Sequence, residues 1–395
     1  MSLKKIPKGV FALGFVSLFM DLSSEMIHSI LPIFMVSALG VSALAVGIVE
    51  GIAEATASIV KIFSGAFSDW IGKRKPLLLG GYGLAVLTRP LFPLAQSIEA
   101  VLFARFADRI GKGIRSAPRD AFIADVTPKE VQGEAYGLRQ SLDNIGAVLG
   151  PLAAMLLLLL TLDDFRFVLW VALVPGVLSV LTIVFFVKEP ARKKEQEEKK
   201  FTLKKSQIKK LSLPFWMVTL IGSVLMMARF SDAFLVLRAD DIGLRAALVP
   251  TILIAMNVVY ASSSWPAGAL ADRIGKSSLL LFGIGVLIAA DIVLATATSV
   301  PVVFLGACLW GLHMGLTQGI ITAYIAAEAP ASMRGTAFGI YNLVTGVTLL
   351  FASLLAGWLW QAHGPALTFG AGAVFSLVAL VGFAALQPRF RKKEI

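Results

Sequence analysis

The sequence predicts an all-α polytopic membrane protein with twelve transmembrane helices in two pseudo-symmetric six-helix bundles. The composition is the first reason, because 57% of the 395 residues are hydrophobic and only 15% are charged. Apolar runs of about 20 residues, the length that crosses a bilayer as a helix, recur along nearly the whole chain. The third reason is that the two halves of the chain repeat a short motif at a fixed spacing.

The predicted helices follow one another with short connections and a single charged linker. Ten Lys or Arg and four Glu lie in residues 188–212. This linker separates an N-terminal bundle, residues 1–187, from a C-terminal bundle, residues 213–395. The predicted spans are 9–36, 43–67, 76–95, 98–121, 134–160, 165–187, 213–238, 246–270, 277–297, 300–325, 336–360 and 366–386.

The fourth span is unusual because it carries many ionisable residues of both signs. Such a residue costs about 2.5–3.5 kcal/mol at the bilayer centre on insertion scales, so a hydropathy window is expected to miss this helix. Residues 96–106 are too short to cross the bilayer, so residues 107–112 must belong to the same helix. Its charged face must then turn toward partner helices or a watery cavity.

The placement of Lys and Arg predicts the orientation. Basic residues gather at both termini, in the linker and in the short loops on one side of the membrane, whereas the other side receives little beyond Arg166, Arg238 and Arg245. The positive-inside rule therefore predicts a multi-pass protein of the cytoplasmic (inner) membrane, with both termini cytoplasmic and lipids as partners. The same clusters account for most of the net charge of +11, so nucleic acid is not an expected partner.

A shift of 203 positions superposes Asp69 on Asp272 and residues 71–73 on 274–276. Two parallel six-helix repeats are a known plan of membrane transporters. The stretch 65–75 resembles the cytoplasmic loop signature of the major facilitator superfamily, and 268–276 resembles its weaker second copy. In that family the loop Asp and the basic residues latch the halves in one state. The resemblance implies a conformational latch made of Gly65, Asp69, Gly72, Lys73, Arg74, Asp272 and Arg273.

Two further matches strengthen the resemblance, which covers essentially the whole chain. Arg105 matches the fourth-helix arginine that the family links to proton coupling. Gly146, Gly150 and Pro151 resemble the fifth-helix motif of its antiporter branches, which implies efflux. Asp108 departs from the pattern, because a Gln or an apolar residue is commoner there, so the substrate of a known drug exporter does not carry over.

Acidic residues inside the first two spans predict proton coupling. Asp21, Glu25 and His28 lie on one stripe of the first helix, and Glu54 lies on the second. Carboxylates on adjacent helices repel one another, and burial favours the protonated form of at least one of them. We therefore expect Asp21, Glu25, Glu54 and Arg105 to couple transport to protons. Ion pairs that merely fasten helices together are the alternative for such residues.

Other polar residues inside the spans are expected to line a substrate cavity. Carboxylate and imidazole groups among them suit divalent ions, but no motif fixes a coordination sphere, so we assign no metal site and no cofactor beyond the coupled protons. The expected cavity residues are His28, Glu50, Lys61, Asp108, Arg109, Lys112, Arg139, Asp143, Asn144, Arg229, Asp232, Asn257, His313, Gln318 and Asn342.

Together these features predict a secondary transporter that works by alternating access. We expect a monomer that uses protons to export a small polar or amphipathic solute. Three alternatives stay open: a proton-linked importer of an organic anion or metal chelate, a divalent metal exporter, and a non-transporting membrane sensor. An enzyme is not expected, because the sequence contains no His-Glu-x-x-His, Gly-x-Ser-x-Gly or P-loop motif.

Overall fold

The structure is a computed structural model that describes residues 6–71, 73–128, 131–189, 211–329 and 334–391. The described residues form helices joined by short connections and contain no β-strand. The all-α fold class predicted from the sequence is confirmed.

The first half of the chain supplies six crossings, in which α1 with α2, α4 with α5, and α8 with α9 each form one broken span. A π-helical turn over Phe34–Ala38 follows α2. The helices are α1 Lys8–His28, α2 Leu31–Ile33, α3 Ala43–Ile71, α4 Lys75–Thr88, α5 Leu91–Leu94, α6 Ile98–Val126, α7 Gln132–Leu160, α8 Phe165–Val171 and α9 Leu173–Phe186.

The second half supplies six more crossings, of which α10 and α11 together form the first. A short 3-10 turn over Ala246–Leu248 precedes the next span. The helices are α10 Leu213–Ala228, α11 Ala233–Asp241, α12 Pro250–Ile274, α13 Lys276–Ala295, α14 Val300–Glu328, α15 Arg334–His363 and α16 Pro365–Arg391.

Eleven helical segments of the described chain are long and apolar enough to cross a membrane. The helix α6 is not among them, although it is 29 residues long. Residues 107–112 lie within α6, as the sequence requires. Length and charge together therefore identify the fourth crossing where hydropathy alone does not.

Four of the predicted spans match apolar helical segments of the structure that each contain a break. The predicted helices 9–36, 76–95, 165–187 and 213–238 are each interrupted. Pro32 and Pro90 lie at two of these interruptions, as expected from the missing N–H of proline.

Pro118 and Pro266 do not interrupt their helices, although proline lacks the N–H that a helix interior uses. Both lie inside the continuous helices α6 and α12. Neighbouring groups in a membrane bundle can satisfy the carbonyl that proline leaves free, so the helix continues past it.

The described residues form two compact units. One contains the residues of 1–39 and 52–202, and the other those of 40–51 and 203–395. The first turns of α3, including Glu50, thus group with the second unit. Most of the predicted linker, residues 190–210, lies outside the described residues, so the predicted domain boundaries stay a prediction.

Small residues set the helix spacing within the first unit. A Cβ added at Gly111 of α6 would lie 2.6 Å from the carbonyl oxygen of Gly81 on α4, so the two backbones are in direct contact. The Ser179 hydroxyl on α9 donates to the carbonyl of Val16 on α1, at 2.8 Å. Close packing of small residues and hydroxyl-to-carbonyl hydrogen bonds are the usual ways in which membrane helices associate.

Candidate functional site

The helix α6 has a charged face and, opposite it, an aromatic face. Arg105, Asp108 and Arg109 are 1%, 3% and 5% exposed, whereas Phe103 and Phe106 are 64% and 40% exposed. The aromatic face suits lipid, and the charged face is buried by the protein. Because the charged face of α6 is turned toward the protein, the free-energy cost of exposing these charges to lipid is avoided.

Arg105 joins α6 to α1. Its guanidinium lies 2.8 Å from Nδ1 of His28, in the last turn of α1. Arginine donates at all its nitrogens, so Nδ1 of His28 accepts this hydrogen bond. The two predicted residues therefore form one buried contact.

Four charged residues form a chain across three helices, which we call the polar chain: Glu54, Arg109, Asp108 and Arg89. Arg109 lies 3.4 Å from the Glu54 carboxylate and 3.9 Å from that of Asp108. Asp108 in turn lies 3.4 Å from Arg89, which also donates to the Ser24 hydroxyl at 2.8 Å. The chain thus runs from α3 through α6 and the end of α4 to α1.

The sequence reasoning missed Arg89, which is fully buried. It lies directly before Pro90, at the end of the third span and on the membrane side that carries few basic residues. An arginine on that side contradicts the general charge distribution. This contradiction was the available signal that Arg89 has a buried partner.

A second cluster surrounds Asp143 on α7. Arg139 contacts the Asp143 carboxylate at 2.6 Å, and Arg119 of α6 lies 3.8 Å from the same oxygen. Arg119 also donates to the Ser17 hydroxyl on α1, at 3.1 Å. Asp21 lies within electrostatic reach of this cluster. Asn144 lies next to it and accepts a hydrogen bond from Gln140.

The glycines of the antiporter-like motif pack directly on the acidic stripe of α1. A Cβ at Gly146 would lie 3.0 Å from the Cβ of Asp21, and one at Gly150 would lie 2.6 Å from the Cβ of Glu25. Pro151 follows, buried inside α7. The motif therefore lets the α7 backbone lie against two predicted proton-coupling residues.

Other predicted cavity residues are not all brought together. Lys112 lies within electrostatic reach of Glu25 and Glu54, whereas Lys61 is exposed on α3 and forms no ion pair with a described residue. Glu50 is buried and belongs to the second unit. Within the described ranges, no group of three or more His, Cys, Asp or Glu side chains could hold a metal ion.

Arg74 of the predicted latch is held inside the first unit. It contacts the Asp125 carboxylate at 3.1 Å and donates to the Ser68 hydroxyl at 2.6 Å. The Glu189 carboxylate accepts from the backbone N–H of Arg74 and of Lys75, at 2.6 Å and 2.8 Å, and so caps α4.

The other latch residues have no such contacts described. Lys73 and Arg273 are exposed, and Gly65 lies on α3 opposite Ala117 of α6. Gly72 lies outside the described residues, as do the side chains of Asp69 and Asp272. The role of these residues stays a prediction.

In the second unit, the predicted cavity residues lie on α12, α14 and α15 and around the break between α10 and α11. The His313 ring, fully buried, lies 2.8 Å from the carbonyl oxygen of Gly283 through Nδ1. The Tyr260 hydroxyl donates to Oε1 of Gln318, at 2.8 Å. Asp232 lies within electrostatic reach of Arg229.

Asn257 and Asn342 complete the predicted set in this unit, on α12 and α15. Tyr260 and Tyr341 were not predicted, because a tyrosine in an apolar helix gives no sequence signal that distinguishes a cavity from a core.

A multi-pass protein with buried charges in each of two helical units belongs to the class of membrane transporters. The sequence profile of the Major Facilitator Superfamily matches residues 13–239 and 221–394. The chain therefore belongs to this superfamily and is a transporter rather than an enzyme. It is 34% identical over 383 residues to an uncharacterized MFS-type transporter of Methanocaldococcus jannaschii, covering 95% of this chain and 94% of the relative.

Solved structures agree with this fold. A bacterial homolog of the human lysosomal transporter Spinster, in an inward-facing and unoccupied conformation, superposes with a TM-score of 0.78 and 15% identity, covering 99% of both chains. A POT family transporter in complex with 5-aminolevulinic acid gives a TM-score of 0.81 and 13% identity, covering 98% of this chain and 99% of the other. At such identities the likeness shows the fold alone.

Proposed function

We propose that this transporter uses the proton gradient to export a small polar or amphipathic solute by alternating access. The main support is the ion pair between Glu54 and Arg109. The Glu54 side chain is 30% exposed and that of Arg109 is 6% exposed, so water can reach the carboxylate while the guanidinium stays buried.

Protonation of Glu54 would remove the negative charge of a carboxylate that contacts Arg109. Asp108, which contacts both Arg109 and Arg89, would keep its own charge. A proton on α3 would thereby change the charge balance of α6 and α4. One coupled proton is worth about 2.3 kcal/mol per 100 mV of membrane potential.

Export, rather than uptake, is supported by the resemblance of Gly146, Gly150 and Pro151 to the fifth-helix motif of antiporters. Its glycines pack against Asp21 and Glu25, so the motif and two of the proposed proton carriers form one contact surface. Proton entry at these acids and solute exit would then use the same part of the first unit.

The cytoplasmic membrane is the proposed location, with both termini in the cytoplasm. Both termini and most of the basic loop residues fall on one side of the predicted spans, which supports this orientation.

Proton coupling can be tested with purified protein in liposomes that contain a pH-sensitive dye. Organic anions, zwitterions and amphipathic cations are added in turn under an imposed pH gradient. We expect at least one solute to drive proton movement through the wild type and none to do so through Glu54→Gln. The matched control is Glu99→Gln, which neutralises an exposed acid at the start of α6 and should behave as the wild type.

Solute flux that does not depend on the pH gradient would contradict the proposal, and so would unchanged proton movement in Glu54→Gln.

The direction of transport can be measured in membrane vesicles. An exporter should accumulate its solute in everted vesicles, whereas accumulation in right-side-out vesicles would indicate an importer. A sensor would move no solute in either preparation.

A further inference from the structure

We propose that Arg229, with the hydroxyls of Tyr260 and Tyr341, binds an oxyanion group of the transported solute, such as a carboxylate, phosphate or sulfonate. This inference rests on the proposed function, because it assumes a transported solute. It adds a chemical class and a binding site in the second unit.

Arg229 lies where the first span of the second unit is broken. The helix α10 ends at Ala228 and α11 begins at Ala233. The Ser353 hydroxyl accepts the backbone N–H of Ser231, and the Ser231 hydroxyl accepts that of Ala233, both at 3.3 Å. Broken helices are tolerated inside membranes where protein groups satisfy the backbone or where the break lines a cavity, and transporters bind solutes at such breaks.

The side chains within electrostatic reach of the Arg229 guanidinium include one acidic residue, Asp232. Arg229 is partly exposed, so solutes can reach it. A cation within a membrane span is costly unless an anion or water accompanies it, so an anionic solute group would stabilise this arrangement.

Two phenols lie beside this cation. Tyr260 and Tyr341, from α12 and α15, are both within electrostatic reach of Arg229. The Tyr341 ring packs on Gly222 of α10, where a Cβ would lie 2.9 Å from its edge. The Tyr341 hydroxyl has no hydrogen-bond partner among the residues that the structure describes, so it is free to donate to an anion.

The Tyr260 hydroxyl can also become available. It donates to Oε1 of Gln318 in this structure. If the Gln318 amide turns over, its NH2 donates to the phenol oxygen, and the Tyr260 hydroxyl is released for the anion. A planar guanidinium with two hydroxyl donors matches the oxygens of a carboxylate, phosphate or sulfonate.

His313 does not compete for the anion. It lies within electrostatic reach of Arg229. A neutral ring whose Nδ1–H donates to the Gly283 carbonyl presents Nε2 as an acceptor. An acceptor does not bind an oxyanion, so the anion is assigned to Arg229 and the two phenols.

The test compares benzenesulfonate, a permanent anion, with benzenesulfonamide, its neutral analogue. Thermal unfolding of the purified full-length chain is measured in detergent against increasing concentrations of each compound. We expect benzenesulfonate, and not benzenesulfonamide, to raise the unfolding midpoint of the wild type. Arg229→Gln should lose this shift, and Tyr341→Phe should weaken the apparent affinity by about tenfold.

The matched control is Arg245→Gln, which removes an exposed positive charge from the same unit and should keep the full shift. Arg229→Lys keeps the positive charge and should retain part of the shift in unfolding midpoint. A retained shift would show that the loss in Arg229→Gln comes from the missing charge and not from a fold defect. Equal shifts with both compounds, no shift in the wild type, or an undiminished shift in both Arg229→Gln and Tyr341→Phe would overturn the proposal.

This measurement uses no pH gradient, so it is separate from the test of proton coupling. Glu54→Gln should still bind benzenesulfonate, because Glu54 belongs to the first unit. Loss of proton coupling with intact anion binding would contradict only the proposed coupling residue. Loss of anion binding with intact coupling would contradict only the inference about Arg229.

Discussion

Gly150 of α7 lies so close to Glu25 of α1 that a Cβ added to the glycine would be 2.6 Å from the Cβ of the glutamate. One turn earlier, Gly146 has the same relationship to Asp21 at 3.0 Å. The Gly-x-x-x-Gly motif thus has a specific partner surface, the acidic stripe of α1. This relationship connects a packing motif to residues that we propose carry protons.

Gly150→Ala should separate α1 from α7 and destabilise the protein by about 1–3 kcal/mol, the usual cost of an extra group in a packed interface. Thermal unfolding in detergent measures this loss. Gly137→Ala is the matched control on the same helix, because no atom lies within 4 Å of its added Cβ. It should be neutral or slightly stabilising. Equal stability of the two variants would contradict the close contact.

Arg89 and Asp108 should show strong energetic coupling, because their side chains are only 0% and 4% exposed. Asp108→Asn leaves the buried Arg89 charge without its carboxylate and should cost about 3–5 kcal/mol, whereas Arg89→Gln should cost less, because Asp108 keeps its contact with Arg109. The double variant should cost clearly less than the sum. A double-mutant cycle on chemical unfolding in detergent measures the coupling, and additive effects would show that the pair contributes nothing.

Glu189→Ala should loosen the start of α4. Its carboxylate accepts two backbone N–H groups that the helix itself cannot satisfy, so its loss should cost about 0.5–2 kcal/mol. Hydrogen exchange at Arg74 and Lys75 should become faster, whereas exchange in the middle of α4 should not change. Glu189→Gln keeps an acceptor oxygen and should show a smaller effect. Unchanged exchange at both amides in Glu189→Ala would exclude the cap.

His28 should stabilise the protein through its buried contact with Arg105. Its Nδ1 accepts a hydrogen bond from the Arg105 guanidinium, at 2.8 Å. His28→Phe removes this acceptor and should cost about 1–3 kcal/mol at neutral pH. Chemical unfolding in detergent measures the loss. Equal stability of the wild type and His28→Phe would contradict this hydrogen bond.

Many residues of the site could be predicted from the sequence, although the contacts that they form with one another could not. Arg105, Asp108 and Arg109 were recognised as buried because no lipid-facing helix carries such charges. The partners of Arg105 and Arg109 on neighbouring helices depend on how those helices are rotated and how closely they pack. The same reason explains why Arg89, which ends an apolar span, was not predicted.

The sequence by itself determined the number of crossings, the charged character of the fourth and the family motifs, because apolar length, charge and local spacing are properties of a single segment. Only the tertiary structure decided that Arg89 meets Asp108, that Gly150 lies against Glu25, and that two tyrosines from separate helices surround Arg229. These contacts join residues far apart in the chain. They arise from the packing angles and rotations of whole helices, which no local pattern of residues specifies.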